Sequence, residues 1–590
     1  MSHIKVMDEN LANKINAGEV VEKCVSIVKE LVENSIDAGS TDIKIYLQES
    51  GLREIKVIDN GSGMDKNDAL LCFQRHATSK IITDDDLFNI HTLGFRGEAL
   101  PSIAAISEVI LKTATKEEGT LVHIKGGHLL EHTACELRNG TSISISNMFY
   151  NTPARLKHLK SPYSELASIV DYVNKIALSY PNIKFKLTSD DKEILNTDGS
   201  NNLLKVIKEI YGLNVAKKMI PINNENDDYT INGYISLPEV TRTTKNSIIT
   251  LVNGRVVKNY ELNKTINESY HTYKEDSRYP IVVIDIKTDP SLIDVNIHPS
   301  KLDIKFSNFT ELNELIRTTI IAAIKTKLLI PNVEAKTPPT IKPIQNNIDF
   351  TVGESDPAYN KLLDDYFKND QIDEGIIHNE ENNEEETIKE ITSPSDKLPE
   401  LYPIALALGT YIICQNNQGI YLIDQHAAKE RINYEKYKDA ILNPKKDTIS
   451  MLFPIVIEYP YNEFIIIKEN LDFIKSFGIN IEEFGSNSIR ITEHPTWLPT
   501  GSEEEALRKI LDLIITKEKN FSPSVFNDRV AMTVSCKMSK KANTYSSIEE
   551  MERLIKDLRK CDNPYHCPHG RPTIIFYSIY ELEKLFKRSI

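Results

Sequence analysis

No stretch of this 590-residue chain approaches the run of about 18 apolar residues that a membrane-crossing helix needs. Met1 to Asn16 alternates polar and apolar residues and has no apolar core, so no signal peptide is read there. Cysteine is scarce: Cys24, Cys72, Cys135, Cys414, Cys536, Cys561 and Cys567. An odd number at wide spacing excludes a disulfide framework and points to a reducing cytoplasm. No internal repeat is present, which excludes solenoids. The Walker pattern is absent, as is the dinucleotide fingerprint, so neither a P-loop nor a Rossmann site is expected. The C-terminal third has no Asp-x-Asp pair of the kind a topoisomerase uses for metal.

Cationic excess is lacking too. The net charge is −15, which alone argues against nucleic acid. Its location changes that reading, because residues 351–390 carry thirteen acidic and three basic side chains. The rest of the chain is close to neutral, and basic faces on folded domains remain open to it.

Composition divides the chain into three. Residues 1 to about 330 alternate helical and strand-like patterns. From 331 to 398 the chain turns polar, with Pro338-Pro339, an Asn/Glu-rich run at Asn379–Glu386, and Ser393-Pro394. That composition buries too little apolar area to offset its ordering entropy and reads as a disordered acidic linker. Folded patterns return from 399 to 590. The first region splits near 212. Beyond it come strands at Tyr229–Ser236, Ile248–Val252 and Ile281–Ile286 and a helix near Tyr260–Tyr273, a second, smaller α/β domain over 213–330.

Glu19 to Asp37 reads as an amphipathic helix, with Val21, Val25, Val28 and Val32 facing a core. Glu30, Asn34 and Asp37 share a polar stripe, and side chains at these spacings are neighbours. A carboxylate and a carboxamide so placed suit a water and a Mg²⁺, although a polar stripe by itself is also an ordinary solvated face. Glu54–Asp59 is a strand run that leads into Asn60-Gly61-Ser62-Gly63, where a carboxylate could accept from an exocyclic amine while glycine lets the backbone approach. Leu93-Gly94-Phe95-Arg96-Gly97 opens another helix, where free N–H groups can meet phosphate. Gly140-Thr141 starts a further strand.

In this order and spacing, Glu30-x-x-x-Asn34, Asp59-x-Gly61-x-Gly63, Gly94–Gly97 and Gly140-Thr141 resemble the ATP site of the GHKL superfamily. Longer strings are similar to the MutL family of mismatch repair proteins: Asn16-Ala-Gly-Glu-Val-Val-Glu22, Lys29-Glu-Leu-Val-Glu-Asn-Ser-Ile-Asp-Ala-Gly39, Arg75-His-Ala-Thr-Ser-Lys80, Gly94-Phe-Arg-Gly-Glu-Ala-Leu100 and Phe149-Tyr-Asn-Thr-Pro-Ala-Arg155. Cys24 stands where relatives usually have proline. The resemblance implies a Bergerat-type ATPase sandwich over 1–212, followed by a ribosomal-S5-like domain. It makes Glu30 the general base, Asn34 the Mg²⁺ ligand and Asp59 the adenine reader. Gly61, Gly63, Gly94, Phe95, Arg96, Gly97 and Thr141 would shape the pocket and its lid, and Lys80 would meet phosphate. Asn253-Gly-Arg255 and Asp294-Val-Asn-Ile-His-Pro-Ser-Lys301 extend the likeness, with Lys301 reaching the γ-phosphate. The lid would close when two N-terminal domains meet.

In the C-terminal region, Tyr411–Cys414 and Ile420–Ile423 flank a hairpin turn. The second strand ends at Asp424, and a helix should carry His426 and Glu430 on one face. Carboxylate, imidazole and carboxylate suit a divalent transition metal, although a capped polar helix would show the same residues. Cys567-Pro-His569-Gly-Arg571 adds two soft ligands that need partners from elsewhere. The Asp424 cluster could supply them, or Cys561, His566, Cys567 and His569 could build a separate zinc site.

Together, Asp424-Gln-His-Ala-x-x-Glu430-x-x-x-x-Glu435, Ser535-Cys-Lys537 and Cys567-Pro-His-Gly-Arg571 resemble the endonuclease class of MutL. This implies a homodimer that nicks DNA largely without sequence preference, using Mn²⁺-like metal and a regulatory Zn²⁺ after MutS has found a mismatch. Asp424 and Glu430 would be catalytic, with Asp424, His426, Glu430, Cys567 and His569 as metal ligands. The sliding-clamp motif is degenerate, because Ile449 replaces its glutamine in Ile449-Ser-Met-Leu452-Phe-Pro454. A non-cutting ATP-dependent matchmaker leaves the Asp424 and Cys567 motifs without a purpose. So does a topoisomerase or chaperone on the same ATPase fold.

Overall fold

The computed structural model describes residues 21–80, 92–94, 97–115, 118–136, 139–157, 159, 161–274, 278–294, 304–328, 398–442, 447–516, 523–539 and 546–586. The acidic segment expected at 331–398 lies outside them except for Leu398, as do Phe95, Arg96 and Lys301.

The first helix, α1, runs Cys24–Asp37. It begins later than the periodicity suggests, because Lys23 is extended (φ −144°, ψ 164°). Val21, Val28 and Val32 are buried as their spacing requires, together with Ile27 and Leu31. Each such side chain contributes roughly 1.5–3 kcal/mol of burial. Gly39, at φ +74°, carries the chain past the helix end.

Behind α1 lies an eight-stranded sheet built from β1 (Asp42–Gln48), β2 (Glu54–Asp59), β3 (Glu108–Ala114), β4 (Gly119–Lys125), β5 (His128–Cys135), β6 (Gly140–Ser146), β7 (Lys184–Ser189) and β8 (Lys192–Asn196). Its order is β5-β4-β3-β6-β2-β1-β7-β8. Strands β1 and β2 alternate buried and half-buried residues, the period of a sheet covered on one face. Helix α2 (Ala99–Ile106) and helix α3 (Pro162–Ser179) complete the layer. Ser161 caps α3 by accepting from the Ser164 amide, and Pro162 occupies its first turn.

A five-stranded sheet follows, with β9 (Met219–Glu225), β10 (Tyr229–Ser236), β11 (Ile248–Val252), β12 (Arg255–Val257) and β13 (Val282–Thr288) in the order β12-β11-β13-β10-β9. Helices Tyr260–Ser269 and Phe309–Leu328 cover it. The first of these stops four residues short of the helix read from the sequence, and Tyr270–Tyr273 form turns that bury the Tyr270 ring.

The C-terminal part holds two sheets. One orders β14 (Tyr402–Ala407), β15 (Tyr411–Asn416), β16 (Gly419–Asp424) and β20 (Ile574–Ser578) side by side; the other has β17 (Thr448–Glu458), β18 (Asn480–Phe484) and β19 (Ser488–Pro495) in the order β17-β19-β18. Helix α4 (Gln425–Leu442) leaves β16 directly, and helix α5 (Tyr461–Glu469) packs on α3. Arg278 and Asp512 bridge the same seam at 2.9 Å.

Candidate functional site

Helix α1 and the ends of β2 and β6 create the first site. Asp59 closes β2 and is buried, and both its carboxylate oxygens accept hydrogen bonds. Oδ1 accepts from the Gly61 and Thr141 amides (2.9 and 3.1 Å), and Oδ2 from the Ser35 hydroxyl (2.9 Å). The donors aimed at it hold an acceptor at a fixed angle. Two glycines are dictated by space. At Gly63 (φ +69°) a Cβ would fall 2.0 Å from the Ala114 carbonyl oxygen, and at Gly140 (φ +88°) 2.2 Å from that of Asp59. The Thr113 hydroxyl lies 3.0 Å from that of Thr141 and accepts from the Met64 amide.

On α1, Glu30 and Asn34 are half-buried and one turn apart. Lys80, expected at phosphate, joins them: its ammonium donates to Asn34 Oδ1 (2.9 Å) and Asp37 Oδ2 (2.6 Å). Asp37 also accepts from the amides of Leu93 and Gly94. Gly94 therefore stands against the pocket, and Gly97 (φ +61°) follows in the turn before α2. Ser35 and Thr113 drew no attention in the sequence. Ser35 lies one residue after Asn34 on the buried side of α1, and only the fold aims it at Asp59.

The second site is assembled by strand pairing. β20 runs antiparallel to β16 with Ile574 opposite Ile423, so the turn before β20 arrives at the end of β16. There the Asp424 amide donates to the Thr573 carbonyl. The Asp424 carboxylate caps α4, accepting from the His426 and Ala427 amides at 2.8 and 3.0 Å. The turn itself is held by Cys567 N–H to Arg571 O and by Gly570 N–H to Cys567 O.

Glu430, one turn into α4, is fully buried. His426 Nε2 lies 3.3 Å from one of its oxygens, and His569 Nδ1 and Arg571 Nη2 lie 3.4 Å from the other. Donor atoms of Glu430, Cys567 and His569 all fall within 4.8 Å of one another. Carboxylate, thiol and imidazole so gathered fit a divalent transition metal. A buried carboxylate shared by two imidazoles and a guanidinium also fits, because burying that charge requires cations close by.

Among the described residues, Cys561 and His566 do not join the cluster of Glu430, Cys567 and His569. The Cys561 thiol donates to the Asp557 carbonyl at 3.7 Å, and the His566 carbonyl accepts from Arg431. Glu435 accepts from the Asp562 and Asn563 amides, so it anchors the segment that carries the Cys567 turn. The side chains of Cys536 and Lys537 are outside the described residues.

Three family models match successive parts of the chain. "Histidine kinase-, DNA gyrase B-, and HSP90-like ATPase" covers residues 22–149, "DNA mismatch repair protein, C-terminal domain" 207–325, and "MutL C terminal dimerisation domain" 404–546. The chain is 43% identical over 622 residues to DNA mismatch repair protein MutL of Geobacillus sp. (strain WCH70), all of both chains being covered. It is 44% identical over 611 residues to that of Anoxybacillus flavithermus, again with full coverage of both. The chain belongs to the MutL family of DNA mismatch repair proteins. A solved N-terminal domain of a DNA repair protein is also similar, at 28% identity and TM-score 0.47, over 54% of this chain and 99% of that one. As a MutL-family member the chain carries a GHKL-type ATPase domain and the family's C-terminal dimerisation domain. Among the described residues, no helix is long and apolar enough to cross a membrane.

Proposed function

We propose that this MutL-family chain is a homodimeric mismatch repair ATPase whose C-terminal domain nicks DNA with a divalent metal, acting after MutS in the cytoplasm. The carrying observation is the convergence of Glu430 from α4 with Cys567 and His569 from the turn before β20. The proposed domains are 1–212, 213–330, 331–398 as linker, and 399–590.

In the ATPase pocket, Glu30 positions and deprotonates water, and Asp59 reads the adenine amine. Gly61, Gly63 and Thr141 shape the base pocket, and Gly94 and Gly97, with Phe95 and Arg96, the phosphate side. Asn34 is the residue that would hold Mg²⁺, while Lys80 and Lys301 would meet the phosphates. In the C-terminal site Glu430, Cys567 and His569, with His426 and Asp424 beside them, would hold Mn²⁺ or Zn²⁺. A metal bound there lowers the pKa of a water and screens charge on a phosphodiester. The chain's own contribution is to bury Glu430 and to balance it with Arg571.

A sliding clamp belongs to the proposal as a weaker partner. Strand β17 bulges between Ser450 and Ile455 and lifts Leu452 and Phe453 out, 88% and 82% exposed. Leu452 and Pro454 of the motif remain where Ile449 has replaced glutamine.

The test is supercoiled plasmid incubated with the purified chain and Mn²⁺, with and without ATP. Conversion to open circle, steeply reduced by salt because phosphate contacts dominate, supports the reading. A chain that turns over ATP yet never nicks, with Mn²⁺, Mg²⁺ or Zn²⁺, establishes the matchmaker in its place.

A further inference from the structure

Asp37 is oddly placed for a helix residue. It closes α1, where the C-terminal end of the helix dipole disfavours a negative charge. Its stabilisation comes from elsewhere. Oδ1 accepts from the Leu93 amide at 2.9 Å, and Oδ2 from the Gly94 amide at 3.1 Å and from Lys80 Nζ at 2.6 Å. The same ammonium donates to Asn34 Oδ1 at 2.9 Å. A Cβ on Gly94 would lie 3.4 Å from Lys80 Nζ and 3.7 Å from Asn34 Oδ1, so Gly94 borders the same corner at ordinary contact distance.

The chain of contacts continues outward. Thr92 Oγ1 donates to the Gly94 carbonyl at 2.8 Å, and Arg255 Nη2 donates to the Thr92 carbonyl at 2.6 Å. Arg255 opens β12 in the second sheet, so one unbroken set of hydrogen bonds joins Asn34 to that sheet through Lys80, Asp37 and residues 92–94.

We propose that Asp37 is a positioning residue which holds Lys80 on Asn34 and ties residues 92–94 to Arg255, so that a metal–nucleotide complex binding at Asn34 shifts the ammonium. This rests on the ATP-site reading of the same pocket. The physical reason is exclusion. An ammonium 2.9 Å from Asn34 Oδ1 and a divalent cation on the same oxygen repel one another at close range, so a metal arriving there favours a shift of the ammonium off that oxygen. Without metal, Lys80 is held by Asp37 and Asn34 and contributes little to binding a nucleotide. When metal takes Asn34, Lys80 is released towards the phosphates.

The experiment measures ADP affinity of the full chain by calorimetry, with Mg²⁺ and with EDTA. Lys80→Met should weaken ADP about tenfold or more with Mg²⁺, the loss of one charge-assisted hydrogen bond, and less than about twofold in EDTA. Equal weakening in both conditions makes Lys80 a plain phosphate ligand and overturns the proposal. Absence of ADP binding by the parent overturns the ATP-site reading and the inference with it. Hydrogen exchange on the nucleotide-free chain tests Asp37. Asp37→Asn should speed exchange of the Leu93 and Gly94 amides about tenfold while leaving the β9–β13 sheet unchanged. Arg255→Ala approaches the same segment from its other end and should speed the same amides, even if Asp37→Asn fails to fold. Exchange at 93–94 unaltered in both variants contradicts the tie.

Discussion

In the proposed ATPase pocket Glu30 and Asp59 have different roles, and their surroundings differ accordingly. Asp59 is immobilised by three donors, whereas Glu30 stands half-buried on the open stripe of α1. Glu30→Ala should therefore bind ATP with near-parental affinity and lose hydrolysis by about 10²–10⁴-fold. Single-turnover kinetics alongside nucleotide calorimetry check this, and near-normal turnover contradicts the assignment. Gly140→Ala carries a different cost. A Cβ at φ +88° and 2.2 Å from the Asp59 carbonyl oxygen forces β2 and β6 apart. Destabilisation of at least about 3 kcal/mol is expected in urea unfolding, together with loss of ATP binding. Glu30, Asn34, Asp59 and the glycines are legible in the sequence because local spacing displays them. Ser35, Thr113 and the Lys80–Asp37 pair are not, because their partners lie 24 to 49 residues away and only the fold brings them together.

At the scale of elements, periodicity located α1, β2, β6, β10, β11 and the β15–β16 hairpin within a few residues. Its misses fall at ends: α1 starts at Cys24 after an extended Lys23, and the helix from Tyr260 closes at Ser269. The pairing of β20 with β16 has no local signal, and it brings the Cys567 turn to the end of β16. Helix α5 carries a further consequence. Its Glu463 carboxyl is pushed up to about 7, first by burial, and it faces Arg242, Asp512, Asp171 and Arg278. The folded chain thus holds this proton more tightly than the unfolded one, whose carboxyl titrates near 4.5. As pH rises from about 4.5 to 7 the unfolded chain loses the proton first, so Glu463 makes stability fall across that window. Glu463→Gln, neutral and of the same shape, should flatten the fall and raise the urea midpoint at pH 8 relative to the parent. An unchanged pH profile contradicts the buried placement of that carboxyl.

On the scale of the whole molecule, one chain carries an ATPase domain and a candidate metal centre. The ATPase pocket is built from residues before 142 with contacts from Arg255, and the candidate metal centre from residues 424–430 and 567–571. The family was legible from motifs at both ends, and full-length identity of 43–44% to MutL proteins agrees with it. The net charge of −15 was the least informative quantity, since much of it sits in residues 351–390 and describes neither site. The central claim is that Glu430 anchors a metal centre that cuts DNA independently of ATP hydrolysis. Its most direct test is the Mn²⁺-dependent plasmid nicking rate of Glu430→Gln, with ATP turnover measured on the same preparation. Loss of nicking by about 10²-fold or more, at parental ATP turnover, is the expected result. Nicking at the parental rate would place the cutting chemistry, or its absence, away from Glu430, Cys567 and His569.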